Sequence, residues 1–296
     1  MTDHEAVTTE VQHWNSVEAR ARGGERLFWL NHPRVAHHYN GRLSRVDWRN
    51  WMRKSLHGPA ELAVELGCGQ GAQIISLVES GFAKSGIGID LAESRFGGMP
   101  EALEGRVKFL SQDVNQLILA PNSCDLIFAI QSFHHFENLE HIMRTVEQAL
   151  TPRGLFVLEE YVGPARFQWT DLQLAFTERL LGLMPLHLRR YANGIEKRAE
   201  GRSSPEEVIR VCPSEAVRSD EIVPLFHHSF EVLRHEPLGG TIQHLLYSGI
   251  IHNFPDDDPP TDHMIDCVAE LESMLIQLGV LPSDFVLLIG RKRQNP

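Results

Sequence analysis

The order of apolar and polar positions divides this chain into an irregular opening, a regular alternation of strands and helices, a long polar interruption and a return to sheet. Glu61-Leu62-Ala63-Val64-Glu65-Leu66 is a short apolar run carrying two acids, the pattern of a buried strand. Gly67-Cys68-Gly69-Gln70-Gly71 follows, and Ala72 to Ser80 then sets Ile74, Ile75, Leu77 and Val78 at helical spacing, with Gly81 placed to stop the helix. Gly86 to Leu91 reads as a second strand ending in Asp90, Val107 to Ser111 as a third followed by Asp113, and Asp125 to Ile130 as a fourth running into Gln131-Ser132-Phe133-His134-His135-Phe136. From Glu137 to Leu150, Leu139, Ile142, Met143, Val146 and Leu150 share one helical face, and Thr151-Pro152-Arg153-Gly154 breaks it before a fifth strand, Leu155 to Glu159. Strands alternating with helices predict an α/β, doubly wound, mostly parallel sheet covered on both faces, with ligands beyond the carboxyl ends of its strands.

The flanks differ from this core, which spans residues 59–163. Residues 1–58 hold Trp14, Trp29, Trp48 and Trp51, four of the five tryptophans, and short helices are expected over Val35–Tyr39 and Val46–Leu56, making an N-terminal helical cap. Residues 164–224, about sixty, are too many for a simple connection and predict a helical lid or insertion. Within it Leu172, Leu174, Phe176, Leu180, Leu181 and Leu183 suggest an amphipathic helix, and Pro205-Glu206-Glu207 starts another; Arg189-Arg190 is a candidate clamp for an anionic acceptor, more often a solvated pair. A homo-oligomer interface is the other use for such a segment. Residues 225–296 complete the sheet, with strands at Phe230–Glu236 and Asp284–Gly290 and helices over Thr241–Phe254 and Met264–Leu278.

Two cofactor classes use a glycine loop between strand and helix, because glycine lets the backbone turn sharply and approach a ligand. Gly67, Gly69 and Ala72 fit a relaxed dinucleotide fingerprint, whereas Glu65, Gly67, Gly69 and Gly71 fit the E-x-G-x-G-x-G pattern of class I S-adenosylmethionine methyltransferases. Asp90, Asp113 and the 125–136 block follow in the order and spacing of the second class, so residues 59–163 resemble a class I methyltransferase. The resemblance implies a seven-stranded Rossmann-like sheet with a reversed last strand and S-adenosylmethionine as cofactor. Its α-amino group would meet Glu65, its ribose diol Asp90 and its adenine amino group Asp113. Leu91 and Val114 would pack on the ring faces, and Gly67, Cys68, Gly69, Gly71 and Gln131 would line the rest. Taken singly, any of these acids is equally well a strand-end residue in solvent.

Composition narrows the acceptor. The formal charge of −11, from 39 acids against 28 bases with no long basic run, argues against a nucleic-acid partner. No run approaches the roughly 18 apolar residues of a membrane span, and Met1-Thr2-Asp3-His4-Glu5 is not a secretory signal, so a soluble, cytoplasmic chain without a membrane partner is expected. Cys68, Cys124, Cys212 and Cys267 lack metal or disulfide spacing. Neither the histidines His32, His37 and His38 nor the acids Asp256-Asp257-Asp258 make a recognisable ligand set, so no metal is expected.

Methyl transfer to a hydroxyl needs alignment and a proton acceptor. His134 and His135 are the first candidates for that base, with loop packing as their alternative role. Glu159 and Glu160 are adjacent in a strand and face opposite sides, so only one, here Glu159, can serve. Tyr161, His227, His228, His244 and Tyr247 are lesser candidates. The reading is O-methylation of a small-molecule acceptor, a sugar or natural-product-like metabolite. A non-catalytic cofactor-binding subunit and a nicotinamide oxidoreductase remain as alternatives.

Overall fold

The computed structural model describes residues 3–91, 93 and 96–293. Its strands are β1 (Ala60–Leu66), β2 (Ala83–Asp90), β3 (Val107–Ser111), β4 (Cys124–Ile130), β5 (Leu150–Tyr161), β6 (Phe230–Gly239) and β7 (Phe285–Lys292). They form one seven-stranded sheet in the order β3-β2-β1-β4-β5-β7-β6. The first five pair in parallel and β7 runs antiparallel between β5 and β6. β1 and β4 sit at the centre, covered on both faces, which is why Leu126 to Ala129 reads as an unbroken apolar run and β1 is apolar at Ala63, Val64 and Leu66 with Glu65 as the exception. The chain order reverses between β1 and β4, and the crevice at that switch point opens above the loops after β1, β2 and β4.

Helices α1 (Asp3–Arg22), α2 (Pro33–Ser44), α3 (Trp48–Ser55) and α4 (Ala72–Glu79) precede and join the first strands. After them come α5 (Leu139–Ala149), α6 (Asp171–Leu183), α7 (Pro205–Val211), α8 (Ile222–Ser229), α9 (Gln243–Tyr247) and α10 (Pro259–Gln277). On one face of the sheet Trp48, Met52, Ile74, Leu246 and Ile265 pack on Phe128, Val157 and Leu287; on the other Ile142, Val146 and Phe226 pack on Ile127, Phe156 and Leu288.

Several expectations are corrected. α1 is a full helix that the sequence reading did not mark, because Val7, Val11, Trp14 and Val17 are sparse in a mostly polar stretch. α6 buries Gln173, Thr177 and Leu181 and leaves Leu172 and Leu183 exposed; Gln173 is drawn inward by hydrogen bonds to Thr241 Oγ1 (2.9 Å) and Asp284 Oδ2 (2.9 Å). Thr241–Phe254 holds only the short α9 and a 3-10 turn, with Gly249 at φ +70° between them. α10 starts earlier than its apolar face, at Pro259, because the Asp258 side chain accepts from Thr261 N (3.1 Å) and proline suits a first turn. Of the acidic loop, Asp256 pairs with Arg26. Arg189 pairs with Glu196 at 2.7 Å and Arg190 donates to Gly194 O at 2.7 Å, so this pair stabilises its own hairpin. Among the described residues no helix is long and apolar enough to cross a membrane.

Candidate functional site

The loop between β1 and α4 is bent by three residues in the left-handed region, Gly67 (φ +69°), Gly69 (φ +52°) and Gly71 (φ +80°). At Gly67 a Cβ would lie 2.5 Å from Ser132 Cβ, and at Gly71 2.2 Å from the Phe109 ring, so both backbone shape and space demand glycine. Gly67 N and Cys68 N donate to Ile89 O at 2.8 and 3.0 Å, tying the loop to β2, and Gly69 N donates to Asp90 Oδ2 at 2.8 Å.

A cavity of about 780 Å³ stands over this loop. Its wall includes Glu65, Gly67, Cys68, Gly69, Asp90, Leu91, Asp113, Val114 and Gln131, so three acids from the ends of β1, β2 and β3 face one space; Gly71 lies behind the wall as the residue before α4. Glu65 is buried, accepts from Ile74 N at 2.9 Å, and is pushed by burial up to about 8. Asp113 caps the turn after β3 by accepting from Asn115 N at 2.9 Å. Gln131 takes φ +49° at the end of β4 and its N–H donates to Glu159 O at 2.8 Å.

The two histidines separate. Glu160, wholly buried, accepts from Ser132 N (2.9 Å), Phe133 N (2.6 Å) and Tyr161 N (2.7 Å) and pairs with His134 Nδ1, so it is the group that shapes the turn after β4. Burial alone would depress His134, but the carboxylates of Glu160 and Glu215 override it and raise the imidazolium to about 10. His134 does not line the cavity, and a ring held protonated between two acids is unsuited to accept a proton. His135 does line it. Its Nδ1 meets Ser214 Oγ at 2.9 Å, its buried Nε2 has no hydrogen-bond partner among the described residues, and burial together with the His134 cation pushes it below the usual imidazole range.

Glu159 is brought elsewhere. It opens into a neighbouring cavity of about 380 Å³ with Tyr39, Asn40, Trp48 and Arg49, and Gln73, Ile130 and Gln131 border both spaces. Burial raises its carboxyl to about 7. Tyr161, His227, His228, His244 and Tyr247 line neither cavity; Tyr161 donates to Pro164 O at 3.1 Å, and His244 sits half-buried in an aromatic cluster with Trp29, Phe167 and Trp169.

Residues without a local sequence signal complete the wall: Val7, Glu10, Val11 and Trp14 from α1, and Pro213 and Ser214 from the turn after α7. Glu10 joins these elements by accepting from Trp14 Nε1 (2.9 Å) and Ser214 N (3.2 Å) and from the Cys212 thiol. Glu10, His135 and Cys212 bring atoms capable of binding metal within 4.8 Å of one another, but those protein donors already engage the carboxylate. Cys124, Cys212 and Cys267 are free thiols. His32 accepts from Arg34 N at 3.1 Å and His38 meets Asp266 at 2.7 Å, which accounts for both as structural groups.

Residues 64–158 match the model of a family described as "Methyltransferase domain". A sterol 4-C-methyltransferase of Caenorhabditis elegans is 24% identical over 102 residues, covering 33% of this chain and 30% of that protein. A sterol 24-C-methyltransferase of Gibberella zeae is 25% identical over 119 residues, covering 39% and 31%. The chain thus spans about a third of the length of the curated relatives it matches. In fold it is similar to geranyl diphosphate C-methyltransferase from Streptomyces coelicolor A3(2), solved with Mg2+, geranyl diphosphate and S-adenosyl-L-homocysteine, with a TM-score of 0.51 at 10% identity over 84% of this chain and 79% of that one. Residues 64–158 thus form a methyltransferase domain, and the glycine loop and the sheet order agree with that match.

Proposed function

We propose that the protein transfers a methyl group from S-adenosylmethionine to a small-molecule acceptor, with a hydroxyl as the acceptor group. The observation that carries this reading is the convergence of Glu65, Asp90 and Asp113 on one cavity above the glycine loop. That donor set fits an ammonium, a vicinal diol and an exocyclic amine, and Leu91 and Val114 offer apolar faces to a purine. Glu65, costly to ionise while buried alone, would be ionised by an ammonium beside it. Bound there, the cofactor supplies an electrophilic methyl on a good leaving group. The protein then has to hold the acceptor in line, exclude water and take up a proton. Glu159 and His135 are the residues suited to receive that proton, since Glu159 is buried next to the cofactor cavity and His135, partly buried, stands in its wall with an Nε2 that has no hydrogen-bond partner among the described residues.

A net charge of −11 supports a small molecule over nucleic acid as acceptor. A carbon acceptor is the second reading, favoured by the names of the sterol and geranyl diphosphate relatives. Calorimetry with S-adenosylhomocysteine and NADH tests the cofactor: tight binding of the first and none of the second is expected, and the reverse would sink the reading. Mass spectrometry of a cell extract incubated with the protein and methyl-labelled cofactor identifies the acceptor and whether oxygen or carbon carries the label.

A further inference from the structure

Carboxyl groups predominate around the two cavities, with Glu10, Glu65, Asp90, Asp113 and Glu137 in the larger wall and Glu159 in the smaller; among the described lining residues Arg49 is the one lysine or arginine. Helix stability does not ask for it there. Arg49 is the second residue of α3, where the helix dipole opposes a cation. Its contacts are with neutral groups: Nη2 donates to Gln73 Oε1 at 2.8 Å, Nη1 reaches Ser76 Oγ at 3.5 Å, and the guanidinium lies 5.6 Å from the Trp48 ring centroid. No carboxylate stands within ion-pair distance of it among the described residues, whereas Arg34, Arg42, Arg189 and Arg218 each meet one. Glu65 and Glu159 feel the Arg49 charge from farther off, but burial outweighs it and holds them at about 8 and about 7, so at neutral pH neither is firmly ionised to balance it. Gln73, in the first turn of α4, borders both cavities and so sets the guanidinium where they meet.

Resting on the methyl-transfer reading, we infer that Arg49 is the anion-binding residue of the site and takes a ligand carboxylate at the junction of the two cavities. A single guanidinium beside the neutral amides of Asn40, Gln73 and Gln131 matches the one charge and the planar fork of a carboxylate; a phosphate dianion would bring more charge than this wall answers. Two ligands can present that carboxylate. Glu65, Asp90 and Asp113 answer the ammonium, the diol and the exocyclic amine of the cofactor and leave its α-carboxylate without a partner, and Gln73 places Arg49 at the edge of the cofactor cavity. The other source is an acidic acceptor lying in the smaller cavity, its carboxylate on Arg49 and its methylated group toward Gln131 and Glu159.

The test is calorimetric titration of the full-length protein with two pairs of ligands that differ in the carboxylate. The first pair is S-adenosylhomocysteine and its decarboxylated counterpart, S-adenosyl-3-thiopropylamine. The second, added to protein saturated with S-adenosylhomocysteine, is 4-hydroxybenzoate and 4-hydroxybenzamide. In one pair the carboxylate ligand is expected to bind at least tenfold more tightly than its partner, the first pair assigning the anion to the cofactor and the second to the acceptor. Arg49→Gln should bring that ratio to threefold or less without weakening the ligand that lacks the carboxylate, and Arg49→Lys, which keeps the charge and loses the fork, should leave an intermediate ratio. No carboxylate preference in either pair with the wild type, or a preference that survives Arg49→Gln, would overturn the inference. Failure of both adenosyl ligands to bind the wild type would instead remove the methyl-transfer reading on which it rests.

Discussion

Asp90 does two jobs with one carboxylate: it accepts from Gly69 N at 2.8 Å, fixing the loop, and it faces the cavity where a ribose would lie. Asp90→Ala is therefore expected to weaken S-adenosylhomocysteine binding at least tenfold by calorimetry, and unchanged affinity would take Asp90 out of the site. Gly71→Ala should be worse for folding than for chemistry. Its left-handed φ and the Phe109 ring 2.2 Å from the added carbon both oppose it, so a drop in melting temperature should accompany the loss of binding. The proton acceptor can be told from the pH profile. A base must start deprotonated, so kcat/KM rises with pH and levels off above the base's own value. Glu159 predicts a midpoint near 7, while His135, depressed by burial and by the His134 cation, predicts one below the ordinary imidazole value of 6.5. A midpoint near 7 that disappears in Glu159→Gln would assign the role to Glu159.

Among the elements, those with strong apolar periodicity were legible in the sequence. α5 buries Leu139, Ile142, Met143 and Val146, as its spacing indicates. α1 was not legible, because what anchors it is a polar residue, Glu10, whose partners His135, Cys212 and Ser214 come from segments far along the chain. The same reason hid Tyr39 and Ser214 from the site: nothing in their neighbours along the chain says which wall they will form. His134 and His135 show the opposite limit, since adjacency in sequence made them equivalent and only the burial of Glu160 separates an imidazolium that shapes the turn from a neutral ring on the cavity wall. That pair makes a stability prediction. The folded value of His134, about 10, exceeds its unfolded value near 6.5, so its contribution is fully present below 6.5 and is lost as pH rises through 10. The melting temperature of the wild type should fall between pH 7 and 10 by more than that of His134→Ala, and parallel curves would refute the pairing.

At the scale of the molecule, the stretch that carries the family signature, residues 64–158, does not by itself complete the sheet. β5 is paired along Leu155–Tyr161 with Arg291–Phe285 of β7, and β6 covers the far side of β7. Without them β5 would end the sheet with an unpaired edge whose residues are buried in the whole chain. The N-terminal helices are tied to the same C-terminal half by Glu272, fully buried in α10, which accepts from Arg42 Nη1 of α2 (2.9 Å), Ile242 N (2.8 Å) and Gln243 N (3.0 Å). Arg42 in turn donates to Leu238 O at the end of β6 (2.8 Å) and to Ala269 O (3.0 Å). This tie, together with Arg34 and His38 of α2 on Asp266 of α10, holds α2 in place. Removing Glu272 leaves a largely buried guanidinium without its countercharge, a change that typically costs about 3–5 kcal/mol. Glu272→Ala is thus expected to lower stability by that order in denaturant titration. Residues 59–163 expressed alone should fail to give a cooperative unfolding transition; a stable, cofactor-binding fragment would mean that the cap and the last two strands serve the acceptor side alone.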